Sequence, residues 1–316
     1  MAFGGSGMHL RMTGIGKRFG ALVALDGVVF EARAGEVTAL VGENGAGKST
    51  LMKILYGVHR ADAGEVTLDG VALAGGSPRE AVARGVGMVF QQFSLIPELT
   101  VRENLALALP RAPWLLGRGA RRVAGVADRL RQLAPDIDPD RRVAALSVGQ
   151  MQLVELAKVL NLDARVVVLD EPTAVLAPAE AERLWALVRQ LRADGLCVIL
   201  ITHKLQDVHA CADRISVLRG GRVVASQDAA GLDDAQIVRL MVGEHAPQPS
   251  PVAPPRSKVR LWIKGAAASG DAGRVAGLDL QLRAGELLGV AGVSGNGQTT
   301  LAEAVAGVVP LTAGEI

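Results

Sequence analysis

The chain has 316 residues, which is long for one domain and short for two large ones, and its hydrophobic content of 49% is sufficient for a buried core. The net charge of +2 argues against a polyanionic partner such as a nucleic acid. The two cysteines lack metal-like spacing, and the sequence shows neither a signal-peptide pattern nor an apolar run near the ~18 residues that a membrane span requires.

Short apolar strands alternate with helices along the chain. Strands are predicted at 36–42, 85–90, 165–170 and 196–202, and helices at 48–57, 123–133, 150–160 and 179–195. Strands that are apolar throughout are typical of parallel strands buried on both faces. The pattern therefore predicts an α/β fold with a doubly wound parallel sheet.

Residues 246–258 contain five prolines, which indicates an extended linker; a long surface loop inside one domain is the alternative. A sequence repeat favours the linker. Residues 34–66 align without a gap on residues 284–316, with 13 of 33 positions identical. We therefore predict a first domain at 8–245 and the N-terminal part of a second, incomplete copy at 259–316.

The segment GENGAGKST follows the first predicted strand and opens a helix, which is the context that a phosphate-binding loop requires. Its glycines allow backbone N–H groups to wrap a phosphate, and the helix N-terminus adds partial positive charge. Lys48 would contact the β- and γ-phosphates, and the Ser49 hydroxyl would bind Mg²⁺. The predicted site for ATP and Mg²⁺ contains Gly42, Glu43, Asn44, Gly45, Ala46, Gly47, Lys48, Ser49 and Thr50.

A second motif, RVVVLDEP, places Asp170 and Glu171 at the carboxyl end of a buried strand, where α/β folds bind ligands. Asp170 would hold Mg²⁺, and Glu171 would polarise the water that attacks the γ-phosphate. A solvated strand end is the alternative, and the accompanying Lys48 loop argues against it.

Four further segments resemble motifs of ABC-type ATPases, in the family's order. LSVGQ resembles the signature motif, VFQQ the Q-loop, ITHK the switch-histidine segment, and KRFG the segment whose ring stacks on adenine. The resemblance implies catalytic roles for Glu171, His203, Lys48 and Gln91, a further Mg²⁺ contact from Gln91, and ATP contacts from Phe19, Ser147, Gly149 and Gln150. Taken singly, Phe19 would be a core residue, His203 a surface histidine, and Ser147 with Gly149 a helix cap and turn.

The family resemblance implies a RecA-like P-loop NTPase core with an antiparallel β-subdomain and a helical subdomain near 93–155. The repeat and the loop SGNGQ resemble the double-cassette ATPases of bacterial simple-sugar and nucleoside importers, and segment 87–108 favours the nucleoside branch. Such a subunit would hydrolyse ATP at the cytoplasmic face of the membrane, with two transmembrane permease subunits, a solute-binding protein and a second cassette as partners. The alternatives are a soluble, non-transport ABC ATPase and a nucleotide-binding fragment without turnover.

Two residues depart from the family pattern. Ala177 stands where the family often has an aspartate, which puts the cross-subunit contact of that loop in doubt, and Gln298 replaces the lysine of the second loop. We expect a slower second site, because Gln298 can form hydrogen bonds but lacks positive charge. The LSVGQ signature would face this second loop, and the signature completing the Lys48 site would lie beyond Ile316. We interpret the chain as a fragment of a longer product, with a split pair or a homodimer as alternatives.

Overall fold

The computed structural model describes residues 9–109, 117–243, 257–270, 273–292 and 295–316, and within 117–124 it describes the backbone only. The chain forms two compact units, residues 1–246 and 247–316. Most of the proposed linker, residues 246–256, lies outside the described residues, so the linker stays a prediction.

The first unit alternates strands and helices as the sequence predicts. Its strands are β1 (His9–Phe19), β2 (Leu22–Arg33), β3 (Val37–Val41), β4 (Ala63–Leu68), β5 (Val71–Ala72), β6 (Val86–Val89), β7 (Val166–Asp170), β8 (Cys197–Thr202), β9 (Arg214–Arg219) and β10 (Arg222–Asp228). Its helices are α1 (Lys48–Leu55), α2 (Pro78–Ala83), α3 (Val101–Leu107), α4 (Gly117–Leu133), α5 (Val148–Leu160), α6 (Pro178–Ala193), α7 (Leu205–Cys211) and α8 (Asp234–Val242), with a 3-10 turn at Val143–Ala145. Among the helices that the sequence predicts, the largest difference is at α4, which begins at Gly117 rather than at residue 123.

Six strands form a central sheet in the order β10-β9-β3-β8-β7-β6, in which β10 pairs antiparallel with β9 and the other pairs are parallel. Every residue of β3, β6, β7 and β8 is buried, because apolar clusters cover both faces of the sheet. The predicted α/β fold is confirmed. Since parallel strands end at one edge of the sheet, the segments that follow β3, β7 and β8 meet there.

Two smaller layers flank the central sheet. An antiparallel sheet in the order β2-β1-β4-β5 shares an apolar core with α1, in which Leu10, Met12, Phe30 and Leu51 are buried. Helices α3, α4 and α5 enclose a separate core that includes Leu105, Leu130 and Val154. These layers correspond to the expected β-subdomain and helical subdomain. None of the described helices combines the length and the apolar character needed to cross a bilayer.

The second unit repeats the opening elements of the first. It contains β11 (Val259–Gly270), β12 (Gly273–Arg283), α9 (Gln298–Val305) and β13 (Ala313–Glu315), with the strand order β12-β11-β13 in place of β2-β1-β4. Helix α9 begins and ends 250 residues after α1, and both helices start from a left-handed glycine, Gly47 or Gly297. The sequence repeat is therefore also a repeat of local conformation.

Strand β3 of the first unit has no counterpart among the described residues of the second. Residues 287–291, which align with β3, form no strand, and Leu287 is 95% exposed. In the first unit β3 pairs with β8 on one side and β9 on the other. The described residues of the second unit offer no equivalent of β8 or β9, so the same apolar pattern lacks backbone partners there.

Candidate active site

The loop after β3 passes too close to neighbouring backbone for side chains at two positions. Gly42 has a φ of 155°, and a Cβ there would lie 2.1 Å from the Leu218 carbonyl oxygen. Gly47 has a φ of 106°, and its Cβ would lie 2.7 Å from the Ala24 carbonyl oxygen. Both glycines are thus required for the loop to turn into α1. Of the other predicted loop residues, Glu43, Asn44 and Gly45 are exposed, Ala46 is buried and Thr50 is half-buried.

Lys48, the first residue of α1, is folded into this loop. Its side chain is buried, and Nζ donates hydrogen bonds to the carbonyl oxygens of Gly42 (2.8 Å) and Glu43 (2.9 Å). Burial lowers the pKa of Lys48, whereas the charges of Glu171 and Asp170 raise it. The loop therefore holds an ammonium group whose present partners are two neutral carbonyls, which anionic phosphate oxygens could replace.

Ser49 and Asp170 bring two oxygen ligands together. The Ser49 hydroxyl donates to Asp170 Oδ1 at 3.3 Å, across 121 residues of sequence. Burial raises the pKa of Asp170, and the Ser49 hydrogen bond opposes that shift. A carboxylate with a hydroxyl suits Mg²⁺, which commonly takes one or two protein ligands together with substrate phosphates. Accordingly, the described residues contain no cluster of three or more acidic, histidine or cysteine side chains that would hold a metal alone.

Glu171 contacts two other predicted catalytic residues. Its Oε2 accepts a hydrogen bond from Gln91 Nε2 (3.1 Å), and its Oε1 lies 3.1 Å from His203 Nδ1. Glu171 has a φ of 48°, a costly conformation for a residue with a side chain, and its N–H donates to the Ile201 carbonyl (2.9 Å). Gln91, Glu171 and His203 follow β6, β7 and β8, so the sheet edge brings together residues far apart in sequence.

The signature residues Ser147, Gly149 and Gln150 lie at the N-terminus of α5, where Ser147 and Gln150 cap the helix. Ser147 is the N-cap of α5: Oγ accepts from the Gln150 N–H (3.2 Å), and Gln150 Oε1 accepts from the Ser147 N–H (3.0 Å). Ser147 Oγ also donates to Glu180 Oε1 (3.2 Å), and a Cβ on Gly149 would lie 2.2 Å from that oxygen. Within the described part of the chain, no hydrogen bond joins these residues to loop 42–50. Their ATP contact stays a prediction.

Phe19 is not a core residue, since its side chain is 43% exposed at the end of β1. The His59 ring meets it edge-on at 5.4 Å, and Lys17 Nζ lies 5.6 Å from its ring centre. An exposed ring of this kind is available for stacking, and its contact with adenine stays a prediction.

Two acidic residues beside the site are missing from the sequence-based prediction. Glu180 contacts Ser147, and Asp207 is fully buried below the segments that carry Glu171 and His203. Each lies in the first turn of a helix, where an acidic residue ordinarily signals a solvated helix start. No local pattern reveals the distant partners of either residue.

A family model and two curated proteins are similar to this chain. The family model described as ABC transporter matches residues 25–174. The ribose import ATP-binding protein RbsA of Chromobacterium violaceum is 43% identical over 312 residues, 98% of this chain and 61% of that protein. The ribose import ATP-binding protein RbsA 2 of Burkholderia ambifaria is 45% identical over 304 residues, 94% of this chain and 59% of that protein. The chain thus spans about three fifths of the length of these curated relatives.

Solved structures match the first unit in length. A crystal structure of the ADP conformation of an ATP-binding cassette of an ABC transporter is 31% identical with a TM-score of 0.67, and the match covers 75% of this chain and 99% of that one. A nucleotide-free ATP-binding cassette from an ABC transporter is 30% identical with a TM-score of 0.66, covering 74% of this chain and 94% of that one.

Proposed function

The chain belongs to the ATP-binding cassette family of ABC transporters, and we propose that its first unit binds ATP with Mg²⁺ and hydrolyses it to drive a sugar importer. One observation carries this proposal. The Glu171 carboxylate is held by Gln91 on one oxygen and by His203 on the other, at the sheet edge where the Lys48 loop also begins.

Each part of the site would have a distinct role. The ammonium of Lys48 would exchange its two carbonyl partners for oxygens of the β- and γ-phosphates. Ser49 and Asp170, with Gln91, would hold Mg²⁺, whose chemistry is to neutralise phosphate charge. The buried position of Asp170 favours this role, because a bound cation would offset the cost of its buried negative charge.

Glu171 would orient the attacking water. Its two oxygens are fixed by Gln91 and His203, so the carboxylate cannot rotate freely. The water oxygen would attack the γ-phosphorus, the bond to the β–γ bridging oxygen would break, and ADP and phosphate would leave. Glu171 would accept the proton of the water, and the His203 imidazole would contact the γ-phosphate oxygens.

The names of the relatives support a proposal for the solute. Both relatives described above are named for ribose import, which favours a simple sugar over the nucleoside suggested by segment 87–108. We propose two transmembrane permease subunits, a solute-binding protein and a second cassette as partners, at the cytoplasmic face of the membrane. A soluble, non-transport ABC ATPase is the alternative, and association with RNA or ribosomes in place of permeases would favour it.

Binding of a fluorescent ATP analogue tests the site. We expect Lys48→Ala to weaken binding about tenfold or more, because a hydrogen bond to a charged group contributes about 1.5–3 kcal/mol. Lys53→Ala, on the same helix, is the matched control and should change the affinity less than about twofold. Equal affinity in the wild type and Lys48→Ala would contradict the site.

Phosphate release tests hydrolysis separately. Glu171→Gln should bind ATP as the wild type does but lose turnover, because the amide cannot accept the water proton. ATP binding by the wild type without turnover would instead support the alternative of a non-hydrolysing nucleotide-binding module.

A further inference from the structure

We propose that Asp207 is a positioning residue for the Glu171–His203 pair, through hydrogen bonds that tie together the two segments carrying those residues. The inference deepens the proposed function and rests on it. Asp207 lies in the first turn of α7, four residues after His203, and within the described part of the chain its side chain forms no hydrogen bond with Glu171 or His203.

Asp207 is a buried carboxylate without a cation. Its exposed fraction is 0%, and across the described ranges no Lys, Arg or His side chain lies within ion-pair distance of it. Burying a carboxylate in this way is expensive unless hydrogen bonds replace its hydration. The hydrogen-bond donors around Asp207 therefore stabilise its carboxylate, and the carboxylate fixes the orientation of those donors.

Three side chains donate to Asp207, from the turn after β7, from β8 and from α6. Thr173 Oγ1 lies 2.9 Å from Oδ1 and 2.8 Å from Oδ2, Thr202 Oγ1 lies 2.5 Å from Oδ2, and Trp185 Nε1 lies 2.9 Å from Oδ1. All these groups are buried or half-buried. As donors to this carboxyl group, both threonine hydroxyls direct their hydrogens at Asp207. Their rotations are thereby fixed.

The two threonines flank the proposed catalytic residues. Thr202 immediately precedes His203, and Thr173 lies two residues after Glu171. With its hydrogen directed at Asp207, Thr202 Oγ1 accepts a hydrogen bond from the Lys204 N–H (3.0 Å), which fixes the backbone on the far side of His203. Thus Asp207 is connected to both sides of the histidine.

Lys204 adds a second tie between the same segments. Its Nζ donates to the Thr173 carbonyl oxygen (2.6 Å), close to the Ala174 carbonyl (3.5 Å). The segment after β7 and the segment after β8 are therefore joined twice. The Asp207 carboxylate accepts from the Thr173 and Thr202 hydroxyls, and the Lys204 ammonium donates to the Thr173 carbonyl oxygen. A tie of this kind holds Glu171 Oε1 and His203 Nδ1 at their 3.1 Å separation.

The experiment measures ring ¹⁵N NMR of His203 in the 316-residue chain, because the Nδ1 shift reports the contact with Glu171 without requiring turnover. Glu171→Gln calibrates the loss of the carboxylate contact. We expect Thr173→Val and Thr202→Val each to move the His203 Nδ1 resonance in the direction of the Glu171→Gln shift. Thr173→Ser and Thr202→Ser keep the hydroxyl and should retain the wild-type resonance.

Thr38→Val is the matched control. Thr38 is equally buried, on β3 next to β8, and its hydroxyl has no hydrogen-bond partner among the residues described. This variant should leave the His203 resonance unchanged. An unchanged resonance in both threonine-to-valine variants near Asp207, or an equal shift in Thr38→Val or in the serine variants, would overturn the proposal.

ATP affinity separates this inference from the proposed function. The threonine variants do not touch the Lys48 loop, so their affinity for the fluorescent ATP analogue should stay within about twofold of the wild type. A wild-type chain that fails to bind ATP would remove the proposed function but leave the NMR result on Asp207 standing. Wild-type ATP binding with no NMR shift in the valine variants would remove the inference on Asp207 but leave the proposed function standing.

Discussion

Several residues of the site hold conformations or charges that cost folding free energy. Glu171 has a φ of 48°, and Asp170 is a buried carboxylate whose pKa is raised by burial. Backbone strain and buried charge of this kind persist where the surrounding structure holds them in place, and they concentrate at functional sites. Both residues follow β7, which is buried along its whole length and anchors them.

Replacing Asp170 by asparagine should stabilise the protein at neutral pH. The variant keeps an oxygen acceptor for Ser49 but removes the buried charge, so we expect the free energy of unfolding at pH 7 to rise by about 1 kcal/mol. Mg²⁺-dependent ATP binding should be lost. Urea unfolding measures the stability, and Asp136→Asn, at an exposed position, is the control that should have no effect.

The same substitution has a defined pH dependence. Because the folded-state pKa of Asp170 is raised above its ordinary value of 3.8, the folded state takes up the proton before the unfolded state does as pH falls. The cost of the charge is therefore complete above the raised pKa and disappears below the ordinary one. The advantage of Asp170→Asn should shrink as pH falls into this window, and a constant advantage at every pH would contradict the explanation.

At the scale of elements, helix starts differ in how they are capped. Helices α3, α5 and α8 have the N-cap residues Thr100, Ser147 and Asp233, and the side chain of each accepts a hydrogen bond from a backbone N–H. The N-cap of helix α6 is Ala177, whose side chain has no hydrogen-bond acceptor. Only the reciprocal bond is present there, from the Ala177 N–H to Glu180 Oε2 (3.1 Å). The departure of Ala177 from the family pattern thus leaves α6 with an incomplete cap.

Ala177→Ser should complete the cap of α6. The backbone of Ala177 already has the extended conformation of an N-cap, with φ −67° and ψ 155°, so a serine oxygen can accept the Glu180 N–H. We expect the free energy of unfolding to rise by about 1 kcal/mol, the usual contribution of an N-cap side chain. Ala179→Ser adds the same hydroxyl two residues later, where it cannot cap, and should give no gain. Equal effects of the two variants in thermal unfolding would reject this account.

At the scale of the whole molecule, the first unit carries a broad groove next to the site. Its volume is about 1200 Å³, and it lies between α2, β6, α5 and the end of α3. Apolar walls formed by Met88, Phe90 and Leu109 are combined with the basic side chains of Arg79, Arg84 and Lys158. Phe90 directly precedes Gln91, so an occupant of the groove would contact the segment that holds Glu171. For the importer proposed above, we expect a permease subunit to contact this groove.

Leu107→Glu tests the groove. Leu107 lines it and is 48% exposed, so the substitution places a charge on the proposed interface with little effect on the core. Co-purification with the proposed permease subunits should be lost, while affinity for ATP is retained. Val238→Glu, at an exposed position of α8 outside the groove, is the matched control and should co-purify as the wild type does. Retention of the permeases by Leu107→Glu would exclude this docking site.

The sequence by itself predicted the elements and the loop chemistry of the first unit. Glycines at 42 and 47, the Lys48–Ser49 pair and the fully apolar strand before Asp170 are local signals, because each depends on the conformation or burial of a few adjacent residues. The same kind of signal placed α9 and its left-handed Gly297 at a distance of 250 residues from α1 and Gly47. The clustering of Gln91, Glu171 and His203 followed from their positions after strands of one sheet and from the family resemblance.

The tertiary structure alone decided which groups share a contact across the chain. Asp207 accepts from side chains that are 5, 22 and 34 residues away, and Glu180 contacts Ser147 across 33 residues. It also decided that residues 287–291 form no strand, although the aligned residues of the first unit form β3. The physical reason is common to these cases: a buried carboxylate or an apolar strand is satisfied by distant partners, and whether those partners are present depends on the assembled sheet rather than on neighbouring residues.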